Sequence, residues 1–160
     1  MRIVIMLVAS IFLLFTNVSV AEAATGEPES LTGEWIGTWT SLNAPYYNGV
    51  IEMSITQEGD GVSGTSLVGN TKCAPERFFT GKLSGKRGDK KFNSFIELEI
   101  SPNDKRDTTI AKNWGAITRA RNAISVVYSF NTPESACEGD VGTMFISKVQ
   151  PYSTIKGIIK

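Results

Sequence analysis

The stretch Leu31-Thr32-Gly33-Glu34-Trp35-Ile36-Gly37-Thr38-Trp39 holds two Gly-x-Trp units separated only by Ile36. Read with the two-residue period of an extended chain, Trp35, Gly37 and Trp39 fall on one face and Glu34, Ile36, Thr38 and Thr40 on the other. A strand with two indoles on one side must bury that side, and its position at the start of the folded region makes it the opening strand of a small closed β-barrel.

Downstream, the same period recurs between clusters of Gly, Asn, Asp and Pro, which is the all-β pattern. Residues 50–57 alternate Ile51, Met53 and Ile55 against Glu52, Ser54 and Thr56. Glu58-Gly59-Asp60-Gly61 makes a tight hairpin into residues 62–67, because Gly supplies the positive φ that such turns need. Strands are predicted next over residues 77–83 and 92–100, the latter setting Ile96, Leu98 and Ile100 opposite Glu97 and Glu99. After the polar loop 101–107 come residues 110–119, 123–130 and 142–149. The prediction is therefore one all-β domain over residues 31–150, an antiparallel up-and-down barrel of about eight strands. The tail 151–160, with Ile155, Ile158 and Ile159 beside Lys156 and Lys160, reads equally as a helix or an added strand.

With that strand pattern in place, Gly33-Glu34-Trp35 resembles the signature that opens the calycin barrels, the lipocalin-like and avidin-like proteins. The resemblance implies that Trp35 closes one end of the barrel and that the first strand runs into a long loop over the other. It further implies capture of a small apolar or amphipathic ligand. Two departures limit what carries over: no Thr-Asp-Tyr-type second motif is present, and Asn113-Trp114-Gly115-Ala116-Ile117 does not match the Trp-x-Gly-x-Tyr segment of avidin-like chains. Biotin or retinoid binding is not implied.

Residues 1–23 read as a cleaved signal peptide: Arg2, an apolar run over residues 3–15, and Ala21-Glu22-Ala23 as the A-x-A site. A polar leader, residues 24–30, follows. The expected compartment is the periplasm or the extracellular space, with no stable membrane insertion after signal removal. There an even pair of cysteines reads as one disulfide, Cys73 with Cys137. Closing a loop of about 65 residues stabilises a fold by about 4 kcal/mol on the chain-entropy model.

Composition removes several function classes. Sixteen basic residues balance 16 acidic ones, and signal removal takes one of each, so no basic excess serves nucleic acid. Histidine is absent, which excludes Ser-His-Asp triads, imidazole acid-base catalysis and His-ligated metals. Glu97 and Glu99 share a strand face at a spacing of about 6.5–7 Å that would suit paired glycosidase carboxylates, but two acids opposite an isoleucine-leucine face read as its wet side. Asn103-Asp104-Lys105-Arg106-Asp107 lacks the glycine and final glutamate of a calcium loop. No enzyme activity, cofactor or metal is expected.

What remains is binding. Candidate ligand-binding residues are Trp39, Trp114, Tyr128 and Phe145, on strands where an inward direction fits, and Tyr46 and Tyr47 in the lid-like loop 42–49. The expected function is an exported barrel binding a small apolar or amphipathic ligand. The alternative is a secreted interaction or inhibitor protein, presenting Tyr46, Tyr47 and the basic hairpin of Lys82, Lys86, Arg87, Lys90 and Lys91 to an enzyme or envelope partner. Intact mass spectrometry of the exported protein should give a chain beginning near Ala24, lighter by two hydrogens than its reduced form. A mass that retains residues 1–23 would refute the signal-peptide reading.

Overall fold

The computed structural model describes residues 30–88, 94–103 and 109–150. Eight strands follow in order: β1 (Gly33–Ser41), β2 (Asn48–Glu58), β3 (Gly61–Thr71), β4 (Ala74–Arg87), β5 (Phe95–Pro102), β6 (Ala111–Ile117), β7 (Ala123–Phe130) and β8 (Val141–Lys148). Each pairs antiparallel with its sequence neighbours, and β8 returns to pair with β1, so the sheet is one closed up-and-down barrel. Closure gives every strand a partner on both sides, and the mouth end of β4, residues 74–80, extends past its β5 partner. The expected signal peptide, most of the expected leader, the hairpin tip with Lys90 and Lys91, the segment 104–108 and the tail 151–160 lie outside the described residues.

Strand faces follow the two-residue period. Trp35 and Trp39 of β1, Ile51, Met53 and Ile55 of β2, and Ile96, Leu98 and Ile100 of β5 all point into the core. Each such side chain, once buried, contributes about 1.5–3 kcal/mol relative to exposure. This interior dominates the stability of the fold. The β3–β4 pairing extends further than the sequence suggests. The chain around Gly69-Asn70-Thr71 reads as loop, yet β3 and β4 stay paired past a bulge to Thr71 and Ala74, with Asn70 at φ 57°. Asparagine tolerates that left-handed conformation better than most residues, and the extra residue bends the strand end.

Two expected inward residues are corrected. Trp114 and Phe145 stand on the outer face, 37% and 55% exposed. On β6 the interior positions are Ala111, Asn113, Gly115 and Ile117, and on β8 they are Gly142, Met144 and Ile146. Small or polar residues occupy interior sites there because large neighbours already fill the space. Gly142 makes this explicit: a Cβ at that position would stand 2.5 Å from both the ring and the hydroxyl of Tyr128.

At the end where the chain enters, Trp35 is buried and donates its indole N–H to the Leu31 carbonyl at 2.9 Å. Leu31, itself fully buried, is fixed by its backbone N–H to Gln57 Oε1 at 3.0 Å. Arg87 turns inward here and pairs with Asp60 at 2.9 Å. Arg121, buried in the β6–β7 turn, has its pKa lowered by burial and then by the like charge of Arg87. That end of the barrel is closed.

Replacing Gly142 by Ala should therefore lower stability by about 1–3 kcal/mol through overpacking against Tyr128. Urea unfolding of the purified variant checks this. An unchanged midpoint would show that both Tyr128 and the Thr40 carbonyl, which also lies against this position, have room to move.

Candidate functional site

At the other end, the mouth, four connections meet: β1–β2, β3–β4, β5–β6 and β7–β8. In a ring of eight strands the β3–β4 turn and the β7–β8 loop lie diametrically opposite. Their cysteines are nevertheless bonded, Cys73 to Cys137, with Cα atoms 4.9 Å apart. Both segments must therefore fold over the opening and meet above it. The backbone N–H of Cys73 also lies 2.9 Å from Cys137 Sγ. The disulfide is a strap across the mouth.

Asp140 anchors a second brace. Its carboxylate is 1% exposed and accepts hydrogen bonds from Ser41 Oγ at 2.6 Å and from the Tyr128 hydroxyl at 3.2 Å. Ser41 Oγ in turn accepts the backbone N–H of Ala44 at 2.9 Å. Asn43 donates its amide to the Gly139 carbonyl at 2.6 Å, and the Leu42 N–H reaches the Val141 carbonyl at 2.8 Å. The β1–β2 loop is thereby tied at several points to the β7–β8 segment. A loop held in this way is a fixed projection.

Beneath strap and loop, Trp39 donates its indole N–H to the Gly69 carbonyl at 3.0 Å. Its ring meets Tyr128 edge-on at 6.0 Å between centroids, and Tyr128 meets Phe130 likewise at 5.8 Å. Such contacts contribute about 0.5–1.5 kcal/mol each beyond area burial. The space they leave, lined also by Val68, Phe79 and Met144, amounts to about 30 Å³. That holds a water or two. Small-molecule sites begin at about 300 Å³.

Of the six candidate ligand-binding residues, only Trp39 and Tyr128 come together at this void. Tyr47 is partly buried against the core, whereas Tyr46 is 89% exposed at the loop tip. Trp114 and Phe145 are on the outer wall. Leu42, 66% exposed, joins Tyr46 on the projecting loop, a position that sequence reading passed over. Asp140, Ser41 and Asn43 were also not singled out. A short polar residue beside a turn has no sequence signal of burial until the partner loop is known. Glu97 and Glu99 are on the outer face, and Glu97 is bridged to Lys86 at 3.2 Å. No protein-family model and no curated protein matches the chain.

The Tyr128 phenol has its pKa raised above the ordinary range, first by burial and then by the charge of Asp140 and the hydrogen bond to it. A pKa raised on folding adds stability that is whole below the unfolded value, about 10 for tyrosine, and is lost as pH rises beyond it. Urea melts should show a decline in stability above about pH 10 that is steeper in the native protein than in Tyr128→Phe. Equal slopes would mean that Tyr128 is not held neutral by its surroundings. Asp140→Ala should cost about 3 kcal/mol at neutral pH, because it removes the charged acceptor from two buried hydroxyls, and Asp140→Asn should cost less. A loss under about 0.5 kcal/mol in both would refute the bracing role.

Proposed function

We propose that this chain is an exported, non-enzymatic barrel that works as an interaction or inhibitor protein, offering the β1–β2 loop to an enzyme or envelope protein of its compartment. The loop itself carries the reading. Leu42 and Tyr46 project into solvent, while Ser41, Asn43 and Ala44 beside them are fixed through Asp140 and Gly139. Apolar and aromatic groups held rigid before contact bind well, because little conformational freedom is lost on association. Tyrosine adds a hydroxyl that a partner can satisfy.

The basic hairpin contributes less than its composition suggests, since Lys86 and Arg87 are already paired with Glu97 and Asp60. The partition of residues supports a water-soluble barrel: apolar side chains line the inside, whereas a membrane-spanning barrel turns them outward.

A second reading keeps an apolar ligand inside the mouth, and the mainly apolar lining, with Trp39, Phe79, Tyr128, Phe130 and Met144, favours it. It requires side chains at the mouth to move aside, because the present space is a tenth of what a ligand needs. Native mass spectrometry separates the two, since a copurifying small molecule would support the second.

Photo-crosslinking from position 46 of the exported chain tests the first. A discrete protein adduct is expected, lost when Leu42→Asp is added and missing when the probe sits at Thr65 on the outer face of β3. No adduct at position 46, or one of equal yield with Leu42→Asp, would overturn the proposal.

A further inference from the structure

The end of the barrel opposite the mouth buries two guanidinium groups. Arg87 is the last inward residue of β4, where the inward positions run through Leu83 and Gly85. Its Nη2 reaches Asp60 at 2.9 Å, but its Nε is buried with no hydrogen-bond partner among the described residues. Arg121 comes from the β6–β7 turn and is 4% exposed. The turn fixes its position. At φ 50° Arg121 donates its backbone N–H to the Thr118 carbonyl at 2.9 Å, and Thr118 Oγ1 accepts the N–H groups of Asn122 and Ala123, each at 3.2 Å. Among the described residues the Arg121 guanidinium has neither a salt bridge nor a hydrogen-bond acceptor.

Such a group needs a counter-charge. Arginine stays ionised in proteins, and a buried charge without a partner is costly. Burial and then the like charge of Arg87 lower the pKa of Arg121, so the two groups lie within electrostatic reach and each raises the cost of the other's charge. Asp60 is one carboxylate beside two cations, and its side chain is 63% exposed. Glu34 and Glu58 do not help, because both stand on the outer face, where Glu34 accepts the Ser54 hydroxyl at 2.8 Å.

We infer that the closed end is a binding site for a small oxyanion such as phosphate, with Arg87 and Arg121 as its two donors. Guanidinium groups present forked N–H pairs that match the oxygens of a phosphate, and hydrogen bonds between ionised partners are the strong ones. The slight exposure of Arg121 admits a group of few atoms and no protein surface. Inorganic phosphate has that size and offers oxygens to both side chains at once. The β1–β2 loop is at the opposite end, so the site does not depend on the proposed function.

Calorimetric titration of the purified mature chain with inorganic phosphate should give one site per chain with a dissociation constant of about 1 mM. At about 20 mM phosphate the thermal midpoint should rise by about 5 °C over chloride of equal ionic strength. Phosphate also strengthens burial in general, so the midpoint counts by its difference from Arg121→Gln, in which the binding heat and the extra rise should vanish. Arg121→Lys keeps the charge without the fork and should bind roughly tenfold more weakly, which keeps the test open if the glutamine variant fails to fold. Lys112→Gln, on the outer wall of β6, should bind as the native chain does. Asp89 and the leader residues Glu27 and Glu29 lie outside the described residues. A carboxylate from one of them in the site would exclude phosphate, so the absence of binding heat up to about 50 mM would overturn the inference. So would an affinity unchanged in Arg121→Gln or in Arg121→Lys.

Discussion

An eight-stranded barrel encloses a narrow space whose lining is dictated by parity: every second residue of every strand points into it. The rest of this structure follows from filling that space. Two tryptophans from one strand, with Gly37 between them, take up much of it near the β1–β8 seam. Other strands must then yield. Gly142 gives way to the Tyr128 ring, and β6 offers only Ala111, Asn113, Gly115 and Ile117. Close packing of this kind leaves a residual void near the mouth and no chamber.

The mouth is governed by a different constraint, the bond between Cys73 and Cys137. Because these residues belong to connections on opposite sides of the ring, the bond draws both segments over the opening. The bulge at Asn70 interrupts the β3–β4 ladder just before the strap. Asp140 then fixes the neighbouring loop through Ser41 and joins it to Tyr128 in the core below. Strap, loop and core form one mechanical unit, and the exposed tip with Leu42 and Tyr46 inherits its rigidity. Burying the Asp140 carboxylate is tolerable because hydrogen bonds from Ser41 and Tyr128 replace its water.

The outer wall shows how unevenly a small barrel divides its surface. The β4–β5 side carries Lys82, Lys86, Glu97 and Glu99, with one cross-strand ion pair. The β6–β1 side carries threonine, serine and exposed apolar groups. Solubility requires charge somewhere on the surface but does not require it everywhere.

The sequence by itself determined the strands, their order and most of their faces, because a two-residue period is written directly in runs such as Ile51, Met53, Ile55 and Ile96, Leu98, Ile100. β7 is observed at the boundaries the sequence predicts. It failed at Trp114 and Phe145, where size suggested an inward direction and parity dictated the opposite. Parity is visible only once the register with Val127 and Thr38 is known. Nor could it foresee the buried role of Asp140, whose partner Ser41 lies 99 residues earlier in the chain. Local periodicity is carried by neighbours along the chain, so it is legible. The volume left inside the barrel and the strap across its mouth depend on which strands lie side by side, and closure alone decided that.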